Sequence, residues 1–208
     1  MNFIKVVLFT VLFVGSIYAN SIKEANEAYK QKDYKKAYQI YLTLARSGDK
    51  IAQYNVGLMY KKGLGVSQDH KKAFYWFRRS SKLGYKDSQY NTAWLYSNGM
   101  GVPQNYQKAY FWYLKAARAG DILSANNVAL LYLHGKGVKK DYKKAFYWYT
   151  IAANEGISLA QNNLGLMYYY GDGVKKDLKK AKYYIELAMQ NGNISAAKNW
   201  DKFQLWKY

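Results

Sequence analysis

The sequence has no cysteine and a single proline, Pro103. Without cysteine there is no disulfide framework, no thiolate metal site and no cysteine nucleophile, so stability must come from packing. Acidic residues are also few, at 13 against 32 lysines and arginines, and the formal net charge is +19. Such a charge favours anionic partners, but the lysines occur in every part of the chain, as a compositional bias would also produce.

Long apolar runs are missing except at the amino terminus, where residues 1–19 read MNFIKVVLFTVLFVGSIYA. Lys5 precedes an apolar stretch that is followed by small residues up to Ala19, which is the order of a secretory signal peptide. The apolar stretch is too short for a comfortable membrane span. We therefore predict cleavage after Ala19, a periplasmic or secreted location in a bacterium, and no stable membrane span afterwards. An uncleaved anchor helix is the alternative.

Residues that commonly build catalytic and metal sites are scarce. The two histidines, His70 and His134, have no acidic neighbour at ligand spacing, so no metal site is predicted. The glycine turns lack the strand and the G-K-[ST] ending of a phosphate loop. S-x-x-K occurs at Ser47 and at Ser195 without the S-D-N or K-T-G partners of β-lactamases. We predict no catalytic residues, no metal and no cofactor.

Internal repetition is what the chain has in abundance. Blocks of 36 residues align without a gap at residues 51–86, 87–122, 123–158 and 159–194. Each block has a small residue, a tyrosine, a G-x-G-V turn, a Lys-Ala pair, an aromatic residue and a closing glycine at the same places. This spacing predicts two helices joined by a tight turn. One hairpin cannot bury both its faces, so we expect the hairpins to stack.

The third block shows how each hairpin is expected to form. Gly135 predicts a left-handed cap that ends the first helix, and Asp141 predicts an N-cap on the second. The residues at the place of Asp141 in the other blocks are Asp69, Asn105 and Asp177. Trp76, Trp112 and Trp148 share a stripe with small alanines, which predicts that they lie in the core.

The pattern A-x-x-N-x-G-x-x-Y-x-x-G-x-G-V-x-x-D-x-x-K-A-x-x-W-Y-x-x-A-A-x-x-G resembles the Sel-one-like repeat, a relative of the tetratricopeptide repeat, across residues 51–194. Residues 20–50 resemble a shorter, tetratricopeptide-like opening repeat, and residues 195–208 are expected to form a capping helix. The resemblance implies an all-α fold, a right-handed α-solenoid of stacked helix-turn-helix repeats. Some secreted members carry a disulfide in each repeat, so the lack of cysteine weakens the likeness to that branch.

In related superhelical repeats the first helix of each hairpin lines the concave face, which implies a ligand-binding surface here. The predicted ligand-binding residues are Tyr54, Asn55, Lys62, Tyr90, Asn91, Trp94, Asn98, Asn126, Asn127, His134, Asn162, Asn163 and Tyr170. Asparagine amides can pair with the backbone of an extended peptide, and tyrosines supply rigid contact area. The asparagine column (Asn55, Asn91, Asn127, Asn163 and Asn199) has a second interpretation, as structural hydrogen bonds between hairpins.

These features favour an exported, non-catalytic scaffold or adaptor that binds a protein or peptide segment in its concave groove. One alternative, implied by the family alone, is a β-lactamase-like cell-envelope hydrolase or a binder of peptidoglycan fragments. Another is an electrostatic binder of anionic envelope components, whose affinity would fall steeply with salt. Export argues against nucleic acid as the partner. A periplasmic immunity protein also fits what some family members do.

Overall fold

The computed structural model describes residues 20–208, so the predicted signal peptide lies outside the described residues. Within residues 20–208 the regular structure is entirely helical, as predicted, and helix α1 covers residues 20–30. The remaining α-helices are α2 (Tyr34–Arg46), α3 (Lys50–Lys62), α4 (His70–Lys82), α5 (Lys86–Asn98), α6 (Tyr106–Arg118), α7 (Ile122–His134), α8 (Tyr142–Asn154), α9 (Ser158–Tyr170), α10 (Leu178–Gln190) and α11 (Ile194–Lys202). Across this part of the chain no helix combines the length and apolar character that a membrane crossing requires.

Polar side chains start the second helix of each hairpin. In each of the four 36-residue blocks a side-chain oxygen accepts a hydrogen bond of 2.9 Å from the backbone N–H three residues later. The four capping residues are the predicted Asp69, Asn105, Asp141 and Asp177. Asp49 and Asp121 cap the first helices α3 and α7 in the same way, which the sequence analysis had not identified.

Glycine in the left-handed region ends the first helices. Gly135 has φ 67° and caps α7, as predicted, and Gly63 and Gly171 do the same for α3 and α9. The second glycine of the turn is also confined by the backbone of a neighbouring helix. A β-carbon built on Gly137 would lie 2.3 Å from the carbonyl carbon of Tyr106. Each such turn therefore packs tightly against the start of the preceding second helix.

The described residues form two compact units. Unit 1 contains residues up to 88 together with 100–102, and unit 2 contains residues 89–99 and 103–208. In unit 1, α3 packs against both α2 and α4. Its core includes Tyr41, Leu44, Val56, Met59 and Trp76.

In unit 2 each helix from α6 to α11 packs against the next helix along the chain. The predicted capping segment forms most of α11 and a short 3₁₀ turn at Leu205–Lys207. Leu205 is fully buried in a terminal cluster with Ile185, Ala188 and Ala196. The end of the repeat array is thus covered by its own last residues.

The tryptophan column is largely core. Trp76 and Trp112 are buried, at 8% and 9% exposed, as predicted. Trp148 is only half-buried. The next residue after this column packs closely against small residues of the first helices. A β-carbon on Gly57 would lie 2.7 Å from the Phe77 ring, and one on Gly165 would lie 2.6 Å from Ile185.

Candidate binding surfaces

A cavity of about 270 Å³ opens in unit 1 beside the first helices α1 and α3. Its lining residues are Asn26, Tyr29, Lys30, Tyr41, Asn55 and Leu58. The Tyr41 hydroxyl donates a hydrogen bond of 2.5 Å to Oδ1 of Asn26. Burial raises the pKa of Tyr41, so this hydroxyl keeps its proton. The cavity therefore combines amide, cationic, aromatic and aliphatic groups, and Asn55 is the predicted ligand-binding residue that lines it.

The other predicted residues of unit 1 have different surroundings. The Tyr54 ring lies 5.1 Å from the Tyr85 ring and 5.8 Å from the Phe77 ring. Burial, with the nearby charge of Asp87, raises the pKa of Tyr54. Tyr54 is therefore half-buried in an aromatic cluster, whereas Lys62 is exposed at the end of α3.

Several of the predicted residues in unit 2 lie inside the helix packing. Asn126 and Asn162 are only 7% and 4% exposed, and Asn91 is buried too. Asn199 on α11 donates a hydrogen bond of 2.8 Å to Oδ1 of Asn162 on α9. For Asn199, the structural interpretation of the asparagine column is the one that this contact supports.

Two further members of the column also have local contacts. Asn127 donates a hydrogen bond of 2.9 Å to the Leu123 carbonyl oxygen on its own helix. The Asn163 amide interacts with the hydroxyl of the buried Tyr149 without forming a hydrogen bond of good geometry. Burial raises the pKa of Tyr149 and the Asn163 amide opposes that shift. Both side chains remain half-buried at the surface of the first helices.

The exposed predicted residues share one place in the repeat. Each is the last residue of a first helix, where the chain enters the glycine turn. They are Lys62, Asn98, His134 and Tyr170. Their chemistry differs from repeat to repeat, as expected for positions that determine which partner is bound. Tyr90 and Trp94 are half-buried, and the Tyr90 ring lies 5.8 Å from that of Tyr113. That these residues contact a ligand stays a prediction.

A second set of exposed side chains was not anticipated from the sequence. It consists of aromatic residues at one place in the repeat on the second helices, each about half exposed. They are Tyr75 in unit 1 and, in unit 2, Phe111, Tyr147 and Tyr183. Each directly precedes a residue of the tryptophan column or its tyrosine equivalent. Adjacent residues on a helix point in different directions, so this position does not face the core as the tryptophan column does. On α4 it borders a cavity of about 210 Å³ that is also lined by Arg78, Arg79 and Lys82.

Neither S-x-x-K match has a catalytic arrangement around it. The Ser47 hydroxyl donates a hydrogen bond of 2.7 Å to the Leu44 carbonyl oxygen at the end of α2. Ser195 and Lys198 are exposed on α11. Among residues 20–208, no three histidine or acidic side chains come together in a way that could hold a metal ion.

Helix pairs joined by left-handed glycine turns and packed in chain order define a helix-turn-helix repeat protein of the α-solenoid class. The Sel1 repeat model matches residues 26–49, 50–85, 86–121, 122–157 and 158–193. The chain therefore belongs to the Sel1 repeat family, as the resemblance implied, and has the scaffold fold that commonly mediates protein–protein interaction. The matched segments begin one residue before the blocks described above and include the shorter opening repeat.

Solved structures support this assignment. The chain is 32% identical to c5321, a protective antigen of uropathogenic Escherichia coli with an SLR fold, at a TM-score of 0.79 over 86% of this chain and 38% of that one. It is also 32% identical to a Sel1 repeat protein from Oxalobacter formigenes, at a TM-score of 0.77 over 84% of this chain and 71% of that one. Helicobacter pylori cysteine rich protein B is 29% identical, at a TM-score of 0.50 over 63% and 94%. No curated protein matched the chain.

Proposed function

We propose that this protein is an exported, non-catalytic scaffold whose first helices hold an extended segment of a partner protein. The observation that carries the proposal is the cavity beside α1 and α3, with its lining of amide, tyrosine, lysine and leucine side chains. A peptide needs these groups together, since amides pair with its backbone while aromatic and aliphatic groups contact its side chains. Family membership supports the same class of partner.

The contacts within the cavity orient its polar groups. Oδ1 of Asn26 accepts the Tyr41 hydroxyl, so the N–H groups of this amide are the donors that it can offer to a backbone carbonyl. Lys30 adds a cation that would favour an acidic side chain or a carboxyl terminus. The cavity thus suits an extended segment with at least one negative charge.

The location of this activity is part of the proposal. Residues 1–19 have the order of a signal peptide, and removal of that segment would release the chain from Asn20 into the periplasm or beyond it. The partner is therefore sought among envelope and secreted proteins rather than in the cytoplasm.

An affinity capture with matched variants tests this proposal. The chain from Asn20 is immobilised and exposed to envelope extract and secreted fraction at physiological salt, and bound proteins are identified by mass spectrometry. Replacing Asn26 and Asn55 together by alanine should weaken capture of a specific protein roughly tenfold, as loss of a contact centre does. Asn154→Ala, an exposed amide at the end of α8, is the control and should retain it.

The outcome that contradicts the proposal is equally concrete. If no protein is retained, or if the cavity variant and the Asn154→Ala control retain the same proteins equally, the cavity is not a peptide site. Melting curves of all three proteins are compared first, so that loss of folding is not taken for loss of binding.

A further inference from the structure

Between residues 103 and 193 the positive charge is confined to part of each hairpin. Every lysine and arginine between residues 103 and 193 lies on a second helix or in the glycine turn that precedes it. The first helices α7 and α9 contain no acidic residue, lysine or arginine at all. Lysines do occur on α3 and α11, outside this range, so the segregation is a property of the hairpins between residues 103 and 193.

Negative charge is nearly missing from the same second helices. Helices α6 and α8 contain no acidic residue, and α10 contains one, Glu186. The aspartates that precede α8 and α10, Asp141 and Asp177, are used as helix caps by backbone N–H groups. Lys144 forms an ion pair of 3.4 Å with Asp141, but the other lysines of these second helices have little acidic charge near them in sequence.

Exposed aromatic rings stand among these cations at one place in the repeat. Phe111, Tyr147 and Tyr183 are 49%, 59% and 58% exposed. Each ring meets the following aromatic residue edge-on at a centroid distance of 5.1 to 5.2 Å. That contact limits the rotation of the exposed ring toward the protein, so the rings stay accessible to solvent.

Lysines flank the rings one helical turn away. Lys115 follows Phe111 by four residues, and its Nζ lies 4.8 Å from the centre of that ring. Lys143 and Lys179 precede Tyr147 and Tyr183 by four residues and are exposed. Residues four apart share one side of a helix, so each second helix presents a ring and a cation together. We call these three rings and three lysines the second-helix face.

We propose that the second-helix face docks on the surface of an anionic lipid bilayer. Aromatic rings and long basic side chains are the groups that settle at a membrane interface, where the ring meets the acyl boundary and the cation meets the headgroups. The backbone of these helices is already paired internally, so an extended peptide finds no edge to pair with. A bilayer needs no such directional bonds, and its negative surface potential attracts each nearby lysine.

Sedimentation with lipid vesicles tests this proposal on the chain from Asn20. Vesicles are made of phosphatidylcholine alone, or with phosphatidylglycerol as one lipid in three. Binding is expected only to the anionic vesicles and should weaken as salt rises. Replacing Lys115, Lys143 and Lys179 by glutamine should lower the partition coefficient roughly fivefold per lysine, or about a hundredfold in all.

Matched controls separate this face from net charge. Lys23, Lys50 and Lys86, exposed on α1, α3 and α5, are replaced by glutamine to give the same charge loss elsewhere, and this control should bind far better than the face variant. Replacing the three rings by alanine should lower partitioning at least roughly tenfold. Tyr170→Ala, which removes a ring 57% exposed on a first helix, should change it little.

Three results would overturn the proposal. One is equal binding to neutral and anionic vesicles, and another is equal loss in the face variant and the charge control. The third is binding of soluble polyglutamate, lost in the face variant, with no vesicle binding, which would identify an acidic protein as the occupant. This test is separate from that of the proposed peptide site. The variant in which Asn26 and Asn55 are replaced by alanine should still bind the anionic vesicles.

Discussion

Two glycines of unit 2 with nearly the same backbone angle have very different surroundings. Gly137 has φ 72° and Gly156 has φ 85°, both in the left-handed region. A β-carbon on Gly137 would lie 2.3 Å from the carbonyl carbon of Tyr106, whereas one on Gly156 would meet nothing within 4 Å. The two positions thus separate the cost of the backbone angle from the cost of a collision with a neighbouring helix.

We expect Gly137→Ala to be much more destabilising than Gly156→Ala. The second change costs about 1 kcal/mol, from the left-handed conformation alone. The first adds a collision with backbone atoms that cannot rotate away, for a total of roughly 3 kcal/mol or more. Urea unfolding of both variants measures the difference, and equal losses would show that the turn is not held against α6.

Residue identity predicted some roles and not others. The caps and the glycine turns depend on local backbone geometry, so the letters Asp, Asn and Gly were sufficient to place them. Burial of Asn126 and Asn162 depends on which helix lies opposite, and the Asn162–Asn199 bond joins residues 37 apart in sequence. No local pattern contains that information, so the predicted ligand set mixed buried and accessible side chains.

At the scale of the helix, the cap at the start of each second helix is interchangeable between asparagine and aspartate. Asn105 and Asp141 occupy the same place and accept the same 2.9 Å hydrogen bond. Only the aspartate can titrate. The backbone N–H of Lys144 lowers the pKa of Asp141, with a further contribution from the charge of Lys144.

The Asn105 cap should be replaceable by aspartate but not by alanine. Asn105→Ala leaves the N–H of Lys108 without its partner and should cost about 1 kcal/mol of unfolding free energy. Asn105→Asp keeps the acceptor and should stay within a few tenths of a kcal/mol of the original at pH 7. Thermal unfolding of the two variants checks this, and similar losses in both would argue against the cap.

Acid pH provides the second half of this comparison. The pKa of Asp141 is lower in the folded than in the unfolded chain, so its stabilisation is present above about pH 4 and is lost as pH falls through the folded value. Asp141→Asn should reduce the loss of stability on acidification, and Asn105→Asp should increase it. Unfolding midpoints between neutral pH and acid decide whether the signs are as stated.

The distribution of charge between helices also explains why the sequence alone did not reveal the second-helix face. In the sequence, the stripe of tryptophans and small alanines stands out on each second helix, while lysines occur in every part of the chain. Placing the charges on the observed helices shows instead that α7 and α9 lack them. A plot of charge against repeat position would have revealed this, whereas the half-exposed state of Tyr147 needed the packed neighbours.

At the scale of the whole molecule, stability is expected to be local, because each repeat contacts mainly its neighbours along the chain. Such a chain can lose structure at one end while the rest stays folded. The terminal cluster around Leu205, fully buried against α10 and α11, is the place to examine this property. Its partly buried neighbours are Leu166, Tyr169, Met189, Trp200 and Phe203.

Leu205→Ala should open the carboxyl-terminal end selectively. Removing a buried leucine side chain costs roughly 2 to 5 kcal/mol, and the lost contacts are with α10 and α11. Amide hydrogen exchange should therefore accelerate strongly in α10 and α11 and little in α2 and α3. Ile194→Ala, at a side chain 77% exposed on the same cap, is the control and should leave exchange nearly unchanged. Uniform acceleration from α2 to α11 would mean instead that the array unfolds as one cooperative unit, and that the cap stabilises every repeat.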